Sequence, residues 1–539
     1  MTLQVRWLGR VPYAEADALQ RALHSRSVDD HLLLLEHPHV YTMGSSAKAE
    51  HVLVDPATVG ADHVSADRGG DVTYHGPGQL VGYPIVSLGE WRAGQRDVAA
   101  YVRRLEAVLV AVLADFGIEA GRSEGYPGVW VGDEKVAAIG VRVARGRTRH
   151  GFALNVDPDL AMFDHIVPCG IRDRQVTSMA KCLGATPDLR TVADRIVARF
   201  VEFFGHDVVE RHDVVWRERD ADPAAFTRGA GASAERPVRL LGRLAAAGVT
   251  VPEAAARPGW MKVKASFDDG YLEMKQRVRR LDLHTVCESA GCPNIFECWA
   301  DRTATFMILG ERCTRACGFC LIDTRYPEPV DLDEPERVAV AVREMGLAHA
   351  VVTCVARDDL ADGGAAVFAA TVAAIRRENP LTRVELLISD CKGDEASLAT
   401  IFASRPDVLN HNLETVARLQ RAARPSAGYA RSLAVLARAK DAGLTTKSGL
   451  IVGLGETVPE VRAAIRDLRA VGVDLLTVGQ YLQPTARHLP VVRWWTPEEF
   501  DVLGAYARDL GFAHVECGPL VRSSYHARAG ADGMAPATP

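Results

Sequence analysis

The stretch Cys313-Thr-Arg-Ala-Cys317-Gly-Phe-Cys320 places three cysteines at Cys-x3-Cys-x2-Cys spacing. A second triplet lies just upstream, with Cys287, Cys292 and Cys298 at Cys-x4-Cys-x5-Cys spacing. Thiolates at such spacings wrap iron–sulfur clusters, and a simple electron-transfer cluster is normally held by four of them. A three-thiolate cluster leaves one iron open, much as a catalytic zinc keeps an open position. The triplets therefore predict two cluster sites and favour chemistry over electron storage. A structural zinc site is the alternative, but zinc sites usually show paired Cys-x2-Cys.

The sequence around and after the triplets alternates short apolar segments with helical patterns. Alternating β and α segments imply parallel strands joined by right-handed crossovers. Six predicted strands indicate an incomplete β/α barrel, in which active sites lie at the carboxyl ends of the strands. Cys313, Cys317 and Cys320 follow the first of these strands and would lie on that face. The six segments are residues 303–309, 350–355, 384–388, 408–410, 446–452 and 475–478.

The first half of the chain mixes strands and helices in an α+β pattern. Residues 31–35 form a short apolar run that predicts a buried strand. Residues 97–116 carry apolar side chains at helical spacing, and Gly117 would end that helix as a C-cap. Residues 129–131 and 136–143 are β-prone and separated by a turn, which predicts an antiparallel pair.

Length and composition restrict the class of protein. A chain of 539 residues is too long for one core and suggests several domains. The net charge of −6 does not favour nucleic acid or an anionic membrane as a partner, and no apolar run approaches membrane-span length. Six of the eleven cysteines are clustered, which fits metal and catalytic thiols in a reducing cytoplasm.

Composition also indicates how the chain is divided. Residues 217–237 contain few large apolar side chains and no sustained period, which is typical of a linker. The expected organisation is a first domain, a linker with a lead-in segment, a second domain and a disordered tail. These parts span residues 1–215, 216–258, 259–528 and 529–539.

The triplet at 313–320 resembles the cluster motif of the radical S-adenosylmethionine enzymes. In that family three thiolates hold a [4Fe–4S] cluster, and S-adenosylmethionine chelates the open iron. One electron then releases a 5′-deoxyadenosyl radical that abstracts hydrogen from an unactivated C–H bond. The resemblance therefore implies a radical enzyme with a partial (β/α)6 barrel.

The triplet at 287–298 narrows the resemblance to lipoyl synthase. That family binds an auxiliary [4Fe–4S] cluster with this spacing and a C-terminal serine, and Arg522-Ser-Ser-Tyr525 resembles its signature. The resemblance assigns Ser524 as the fourth ligand of the auxiliary cluster, with Cys287, Cys292 and Cys298. Residues 357–364, 410–415, 447–456 and 480–484 also resemble family segments and are expected to line the pocket. Without the resemblance, Ser524 would be taken for a capping or hydrogen-bonding residue near a chain end.

The interpretation of Cys169, a single cysteine in the first half, depends on three other segments of that half. Alone it would more often be a small buried residue than a nucleophile. Three segments resemble lipoyl(octanoyl) transferase, over roughly residues 5–210, and imply the fold of the biotin and lipoate protein ligases. The segments are residues 68–79, 135–140 and 150–155. The residues expected to bind the acyl substrate are Arg68, Gly69, Gly70, Asp71, Val72, Thr73, Tyr74, His75, Ala138, Ile139, Gly140, Gly151, Phe152 and Ala153.

The resemblance gives Cys169 and Lys135 the catalytic roles. Cys169 would take the octanoyl group from octanoyl-acyl carrier protein as a thioester. A free thiol is only a few per cent ionised at neutral pH, and the Lys135 ammonium would stabilise the thiolate. Lys135 would then shuttle protons while the lysine of a lipoyl domain attacks the acyl-enzyme. The glycines at 69, 70, 76 and 78 would permit close approach to the acyl chain.

Together these resemblances predict a cytoplasmic fusion of two consecutive enzymes of lipoic acid biosynthesis. Its expected cofactors are two [4Fe–4S] clusters and S-adenosyl-L-methionine. Its expected partners are octanoyl-acyl carrier protein, the lipoyl domains of 2-oxoacid dehydrogenases, the glycine cleavage H protein, and an electron donor such as ferredoxin or flavodoxin. The alternatives are an ATP-dependent lipoate ligase or a degenerate docking domain in the first half, and another sulfur-inserting radical enzyme, of the biotin synthase kind, in the second.

Overall fold

A computed structural model divides the chain into two compact units, Met1–Arg219 and Asp220–Pro539. They are called the N-terminal unit and the C-terminal unit below. The structure describes residues 2–88, 98–170, 174–215, 236–252, 256–262, 269–281, 283–289, 292–300 and 303–532. Residues 216–235 and 253–255 of the predicted linker and residues 533–539 of the predicted tail lie outside the described residues.

The N-terminal unit is built on a nine-stranded mixed sheet and a separate three-stranded sheet. The large sheet has the order β12-β1-β2-β6-β10-β9-β8-β7, with β11 paired to β9, and the small sheet has the order β4-β3-β5. The strands are β1 (Thr2–Arg10), β2 (Asp30–Glu36), β3 (Val40–Met43), β4 (Asp62–Ser65), β5 (Val72–His75), β6 (Gln79–Ile85), β7 (Gly121–Ser123), β8 (Tyr126–Val131), β9 (Glu134–Ala144), β10 (Arg147–Asn155), β11 (Gln175–Val176) and β12 (Val208–Arg211). The helices are α1 (Tyr13–Arg26), α2 (Val98–Asp115), α3 (Met179–Leu183) and α4 (Leu189–Phe204).

The elements predicted in the first half are confirmed. The apolar run at 31–35 is the centre of β2, and its four leucines are fully buried. Helix α2 buries its apolar stripe in the core beneath the large sheet, and Gly117 follows it with a φ of 77°. Strands β8 and β9 pair antiparallel across the predicted turn. Apolar periodicity located these elements because each has one face or both faces against the same core.

The C-terminal unit is an eight-stranded sheet in sequential order, β13 to β20, flanked by helices. The strands are β13 (His284–Thr285), β14 (Thr303–Ile308), β15 (His349–Cys354), β16 (Arg383–Leu387), β17 (Val408–Asn410), β18 (Thr446–Val452), β19 (Leu475–Gln480) and β20 (His514–Gly518). The helices are α5 (Arg236–Ala246), α6 (Asp269–Arg280), α7 (Val286–Ser289), α8 (Ile295–Ala300), α9 (Glu334–Met345), α10 (Ala365–Glu378), α11 (Glu395–Ala403), α12 (Gln420–Ala423), α13 (Tyr429–Asp441), α14 (Val458–Ala470), α15 (Pro497–Asp509) and α16 (Ala527–Asp532).

All six predicted strands of the second half form, as β14 to β19, and each pairs parallel with the next. The predicted partial β/α barrel is confirmed, and β20 adds a seventh parallel strand beside β19. The short β13 also pairs antiparallel with β14 at the other edge. The sequence did not reveal β20 because this edge strand is only half-buried and contains few apolar residues. The unit is therefore a partial barrel of seven parallel strands.

Two segments expected to be linker or tail are helical. Helix α5 lies within the predicted linker, yet Leu240 and Leu244 are buried, and a Cβ placed on Gly318 would lie 3.1 Å from Leu240 Cδ2. Arg418 Nη1 also donates 2.5 Å to the carbonyl oxygen of Ala247. Helix α16 includes the first residues of the predicted tail. Helix α5 thus lies in the part of 216–258 expected to contain a linker and a lead-in segment, and its (i, i+4) leucine pair gives a weak signal among the surrounding alanine, glycine and arginine.

A buried ion pair links three strands inside the C-terminal unit. Lys447 Nζ lies 3.1 and 3.2 Å from the two carboxylate oxygens of Glu385, and Asn410 Nδ2 donates to Oε1 at 2.9 Å. All three side chains are buried. Burial alone would raise the pKa of Glu385, but Lys447, His349 and Asn410 together lower that pKa to about 2. The carboxylate is therefore ionised at neutral pH and depends on Lys447.

Replacing Lys447 with methionine should destabilise the C-terminal unit by about 3–5 kcal/mol at neutral pH, since it leaves a buried carboxylate without its cation. Glu385 has a depressed pKa, so its contribution in the natural protein is complete above pH 4.5 and is lost as the pH falls towards 2. The destabilisation should therefore shrink below pH 4.5. Urea unfolding of both proteins at several pH values measures this difference in the free energy of unfolding.

The control is Lys440→Met, which removes the cation of a partly exposed pair with Asp474 at 2.7 Å. A partly exposed pair contributes about 0–1 kcal/mol. Equal losses for Lys447→Met and Lys440→Met would contradict the importance of the buried pair.

Candidate active sites

The Cys313–Cys320 loop leaves the carboxyl end of β14 and is tied to the end of β15. Thr314 donates through its backbone N–H to Ala356 O at 2.9 Å, and Asp358 N donates to Thr314 Oγ1 at 3.0 Å. Cys313 Sγ accepts N–H groups from Arg315 at 3.4 Å and Ala356 at 3.3 Å. The loop therefore lies at the strand edge that the sequence predicted.

The three thiols of this loop interact with one another. Burial raises the pKa of Cys317 to about 11 and that of Cys320 to about 12. Cys313 raises both pKa values further, and Cys317 raises that of Cys320. Three soft donors that influence one another in a half-buried loop suit iron–sulfur ligation, which removes the thiol protons. The residues present fit the cluster that the spacing implies.

The upstream triplet is connected to the C-terminal segment of the unit. Cys292 N donates to Cys287 O at 3.0 Å, and Cys298 N donates to Asn294 O at 2.9 Å. The Asn294 side chain in turn donates to Leu520 O at 2.7 Å, which brings the segment preceding Ser524 to this triplet. Burial raises the pKa of Cys287 to about 11, and Cys292 raises it further. These thiols also suit a metal that replaces their protons.

A cavity of about 260 Å³ contains members of both triplets and the predicted serine ligand. Cys287, Cys292, Cys320 and Ser524 all line it. The family-like segments at 410–415, 447–456 and 480–484 contribute further lining residues, as predicted: Asn412, Glu414, Gly449, Leu450, Ile451, Gln480, Tyr481, Leu482 and Pro484. The fully described segment 357–364 contributes no lining residue, and its Asp358 instead binds Arg315 in the Cys313–Cys320 loop.

Polar groups make the cavity capable of orienting a ligand. Asn412 Nδ2 donates to Glu414 Oε1 at 3.0 Å, and Asn412 Oδ1 is buried with no hydrogen-bond partner among the described residues. Burial raises the pKa of Glu414, although Arg424 and Asn412 oppose this shift. A Cβ on Gly449 would lie 2.8 Å from Asn412 Oδ1, so glycine keeps this part of the cavity open. The cavity offers an acceptor and a carboxyl group beside the cysteines.

In the N-terminal unit, a second cavity of about 50 Å³ collects most of the predicted acyl-binding residues. Val72 and Tyr74 do not line it, although the sequence assigned them to the substrate. They alternate with Thr73 and His75 along β5, and their side chains therefore point to the opposite face, into the core of the small sheet. The predicted residues that do line the cavity are Arg68, Gly69, Gly70, Asp71, Thr73, His75, Ala138, Ile139, Gly140, Gly151, Phe152 and Ala153.

The expected roles of the glycines divide in the same way. Gly69 and Gly70 line the cavity, but Gly76 and Gly78 do not. Gly78 has a φ of 85°, and a Cβ there would lie 2.1 Å from Asp157 O. Gly78 therefore allows tight backbone packing, and a Cβ on Gly76 would lie 1.8 Å from Tyr74 Oη. The expected approach of these two glycines to the acyl chain stays a prediction.

The sequence missed three lining residues, Tyr13, Tyr83 and His150. Tyr13 and Tyr83 belong to α1 and β6, and the quoted motifs gave no signal for either. Burial raises the pKa of both tyrosines, so both phenols are neutral. His75 is also neutral, because burial and then His37 lower its pKa well below the ordinary value. Most of this wall is therefore uncharged, which suits an apolar chain.

Lys135 is buried at the start of β9, with Nζ 4.8 Å from the centre of the Trp130 ring. Cys169 lies in the short 3-10 turn Pro168–Gly170, of which the structure describes the Cys169 backbone and not its side chain. The predicted contact between its sulfur and Lys135 falls outside the described residues. The turn is anchored by His51, whose carbonyl accepts from Val167 N at 2.8 Å and whose ring binds Asp71 at 2.6 Å.

Comparison with known proteins agrees with the family resemblances predicted for both halves of the chain. Residues 12–201 match the family described as "Lipoyl protein ligase A/B catalytic domain", and residues 307–468 match the "Radical SAM superfamily". A lipoyl synthase of Rubrobacter xylanophilus is 58% identical over 273 residues, covering 50% of this chain and 85% of that protein. The chain belongs to the lipoyl synthase family. A Mycobacterium tuberculosis lipoyl synthase is 59% identical over 271 residues, covering 50% of this chain and 87% of that protein.

A lipoyl protein ligase A/B catalytic domain precedes the region that matches lipoyl synthases, which confirms the predicted fusion of two such halves. A crystal structure of lipoate-protein ligase A bound with ATP covers 40% of this chain and 90% of its own, at 18% identity and a TM-score of 0.35. As a radical enzyme of this family, the chain uses S-adenosylmethionine and [4Fe–4S] clusters. In the described part of the chain, no helix has both the length and the apolar character of a membrane span.

The raised thiol pKa values give a test on the reduced, metal-free protein. At pH 8 a thiol of pKa 11 is only about one part in a thousand ionised, and the thiolate is the reactive form. Iodoacetamide should therefore modify the exposed Cys182 much faster than Cys317 or Cys320. The rates at Cys317 and Cys320 should keep rising up to about pH 11 to 12. Peptide mass spectrometry measures each rate, and equal rates at pH 8 would contradict the burial of these thiols.

Proposed function

We propose that the chain performs two consecutive steps of lipoyl-group assembly. The N-terminal unit would transfer an octanoyl group from octanoyl-acyl carrier protein to a lysine of a lipoyl domain. The C-terminal unit would then insert sulfur at C6 and C8 of that bound chain. The observation that carries the proposal is the single cavity lined by Cys287, Cys292, Cys320 and Ser524, in a lipoyl synthase fused to a ligase-like domain.

In the first step Cys169 is the proposed nucleophile. Its thiolate attacks the carbonyl carbon of the incoming thioester, a new C–S bond forms, and the carrier thiol leaves with a proton. The lipoyl-domain lysine then attacks the acyl-enzyme, an amide bond forms, and the Cys169 thiol is restored. Lys135 would stabilise the thiolate and move the protons. The uncharged cavity wall around Phe152 and Tyr83 supports this role because the acyl chain is apolar.

In the second step the two cysteine triplets are the proposed cluster ligands. Cys313, Cys317 and Cys320 would hold the [4Fe–4S] cluster that binds S-adenosylmethionine. The auxiliary [4Fe–4S] cluster would be held by Cys287, Cys292, Cys298 and Ser524. When bound, the first cluster with S-adenosylmethionine would supply the radical that abstracts hydrogen, and the auxiliary cluster would supply the sulfur. Ser524 is a hard oxygen donor among soft thiolates, and such a ligand is easily displaced.

The remaining cavity residues have orienting roles in this proposal. Glu414 and Asn412 would hold the polar end of S-adenosylmethionine, while Leu450 and Ile451 would contact the apolar octanoyl chain. The acceptors would be lipoyl domains of 2-oxoacid dehydrogenases and the glycine cleavage H protein. A ferredoxin or flavodoxin would supply the electrons in the cytoplasm.

One reaction mixture tests both steps. The reconstituted protein is incubated anaerobically with octanoyl-carrier protein, an apo lipoyl domain whose target lysine is unmodified, and a reductant, with and without S-adenosylmethionine. Octanoylation of the lipoyl domain is expected in both mixtures, and sulfur insertion only in the complete one. Intact-mass spectrometry of the lipoyl domain distinguishes the products. A requirement for ATP and free octanoate would instead identify the N-terminal unit as a ligase.

Matched variants assign the steps to their residues. Cys169→Ser should abolish the thioester adduct and the octanoylation, whereas Cys182→Ser should retain both. Cys313→Ala should abolish sulfur insertion and leave octanoylation unchanged. If the Cys169→Ser protein still forms the adduct, the nucleophile is another residue. If octanoylation occurs neither from octanoyl-carrier protein nor from free octanoate with ATP, the N-terminal unit is a docking module.

Iron content tests the two-cluster assignment. Anaerobic reconstitution should give about eight irons per chain, since each [4Fe–4S] cluster holds four. Replacing Cys287, Cys292 and Cys298 with alanine should reduce the content to about four. Ser524→Ala should make the auxiliary cluster lose iron faster on exposure to a chelator, while the neighbouring Ser523→Ala should not. A faster loss in Ser523→Ala alone would move the ligand assignment to Ser523.

A further inference from the structure

A buried arginine, Arg315, fixes the Cys313 end of the Cys313–Cys320 loop, to which it belongs. Arg315 Nε and Nη2 donate to the two oxygens of Asp358, each at 2.8 Å. Arg315 Nη2 also donates to Asp390 Oδ1 at 2.6 Å. The Arg315 side chain is 7% exposed and that of Asp390 is fully buried. One guanidinium therefore joins the loop to the segments that follow both β15 and β16.

The acidic partners are themselves held in place. Asp390 Oδ1 accepts a second hydrogen bond from Lys392 N at 3.0 Å, and Lys392 Nζ donates to Asp358 O at 2.6 Å. Cys391 and Lys392 adopt left-handed backbone angles, with φ of 44° and 54°. Left-handed conformations of residues other than glycine are costly and persist where the surroundings enforce them. This turn after β16 is thus shaped to present Asp390 to Arg315.

The backbone of the same arginine reaches the cluster ligand. Arg315 N donates to Cys313 Sγ, and the second N–H on that sulfur comes from Ala356, between the β15 terminus and Asp358. Hydrogen bonds to a ligand sulfur and the charges around it set the reduction potential of an iron–sulfur cluster. Movement of Arg315 would therefore change both the position of the loop and the donors on the sulfur.

We propose that Arg315 is a positioning residue that, clamped between Asp358 and Asp390, sets the geometry and reduction potential of the cluster held by the Cys313–Cys320 loop. The inference rests on the proposed role of this loop as the cluster that binds S-adenosylmethionine. It adds that the positive guanidinium and the negative carboxylates of the clamp act on the cluster in opposite directions. The guanidinium favours the reduced cluster, which is more negative, and the Asp390 carboxylate disfavours it.

The opposing charges give opposite expected shifts. Arg315→Gln removes a positive charge and loosens the N–H donors, so the midpoint potential should become more negative. Asp390→Asn removes a negative charge at nearly constant volume, so the potential should become more positive. Arg315→Lys keeps the charge but cannot form the two-pronged contact with Asp358, so its shift should be smaller than that of Arg315→Gln.

The measurement is a redox titration of the full-length, doubly reconstituted protein, followed by electron paramagnetic resonance. The signal that changes on addition of S-adenosylmethionine identifies the cluster of the Cys313–Cys320 loop, so the auxiliary cluster serves as an internal reference. Arg325→Gln is the matched control. Its guanidinium also binds an aspartate, Asp323, at 2.6 Å, but is 76% exposed. The control should leave the potential unchanged.

Each outcome decides the inference. Opposite shifts for Arg315→Gln and Asp390→Asn support it. Unchanged potentials, or shifts in the same direction, overturn the electrostatic role. Arg315→Gln could lose only the cluster that responds to S-adenosylmethionine, and the iron content would then fall from about eight to about four per chain. That loss supports the role of Arg315 in positioning the loop. Arg315→Lys and Asp390→Asn then still test its effect on the reduction potential. The readout does not depend on product formation, so a failure of lipoyl assembly is distinguishable from a failure of the clamp.

Discussion

The C-terminal unit depends on the parallel pairing of β14 to β19, because this pairing directs the carboxyl ends of the strands to one edge. Loops that are far apart in sequence then meet there. The Cys313–Cys320 loop follows β14, Arg357–Asp358 follows β15, and Asp390 follows β16. The hydrogen bonds among these loops therefore arise from the strand order and not from closeness in sequence. The same constraint makes a ligand cavity possible at that edge.

Apolar periodicity and cysteine spacing predicted much of the structure, since both are local properties of the sequence. The strands β14 to β19 and the helix α2 were located from their buried faces. The exceptions have physical causes. Strand β20 is half-buried at an edge, and helix α5 contributes only a narrow apolar stripe, so neither has a strong local pattern. A local signal is weak wherever an element buries little apolar surface.

The cavity of the N-terminal unit shows a second limit of sequence reasoning. A contiguous motif, residues 68–75, was assigned as a whole, but a β-strand presents only alternate residues to one face. Val72 and Tyr74 consequently support the wall from behind, while Thr73 and His75 form it. Tyr13 and Tyr83 come from other elements, and only the folded sheet brings them to the cavity. The alternation could have been applied from the sequence, whereas the two tyrosines required the tertiary structure.

Both units bury polar groups, but the groups that the two cavities and their surroundings bury differ in kind. Around the small cavity, burial keeps His75, Tyr13 and Tyr83 neutral, although Arg68 and Asp71 also line it. In the C-terminal unit, charges are buried but compensated, as in the Glu385–Lys447 pair and the Arg315 clamp. A neutral side chain requires no counter-ion when it is buried, but it exerts little electrostatic field on a redox centre. A compensated charge can influence such a centre, because its field extends through the low-dielectric interior to the neighbouring sulfur. Burying ions costs folding free energy. Beside the Cys313–Cys320 loop, the field of such buried ions would have a chemical use.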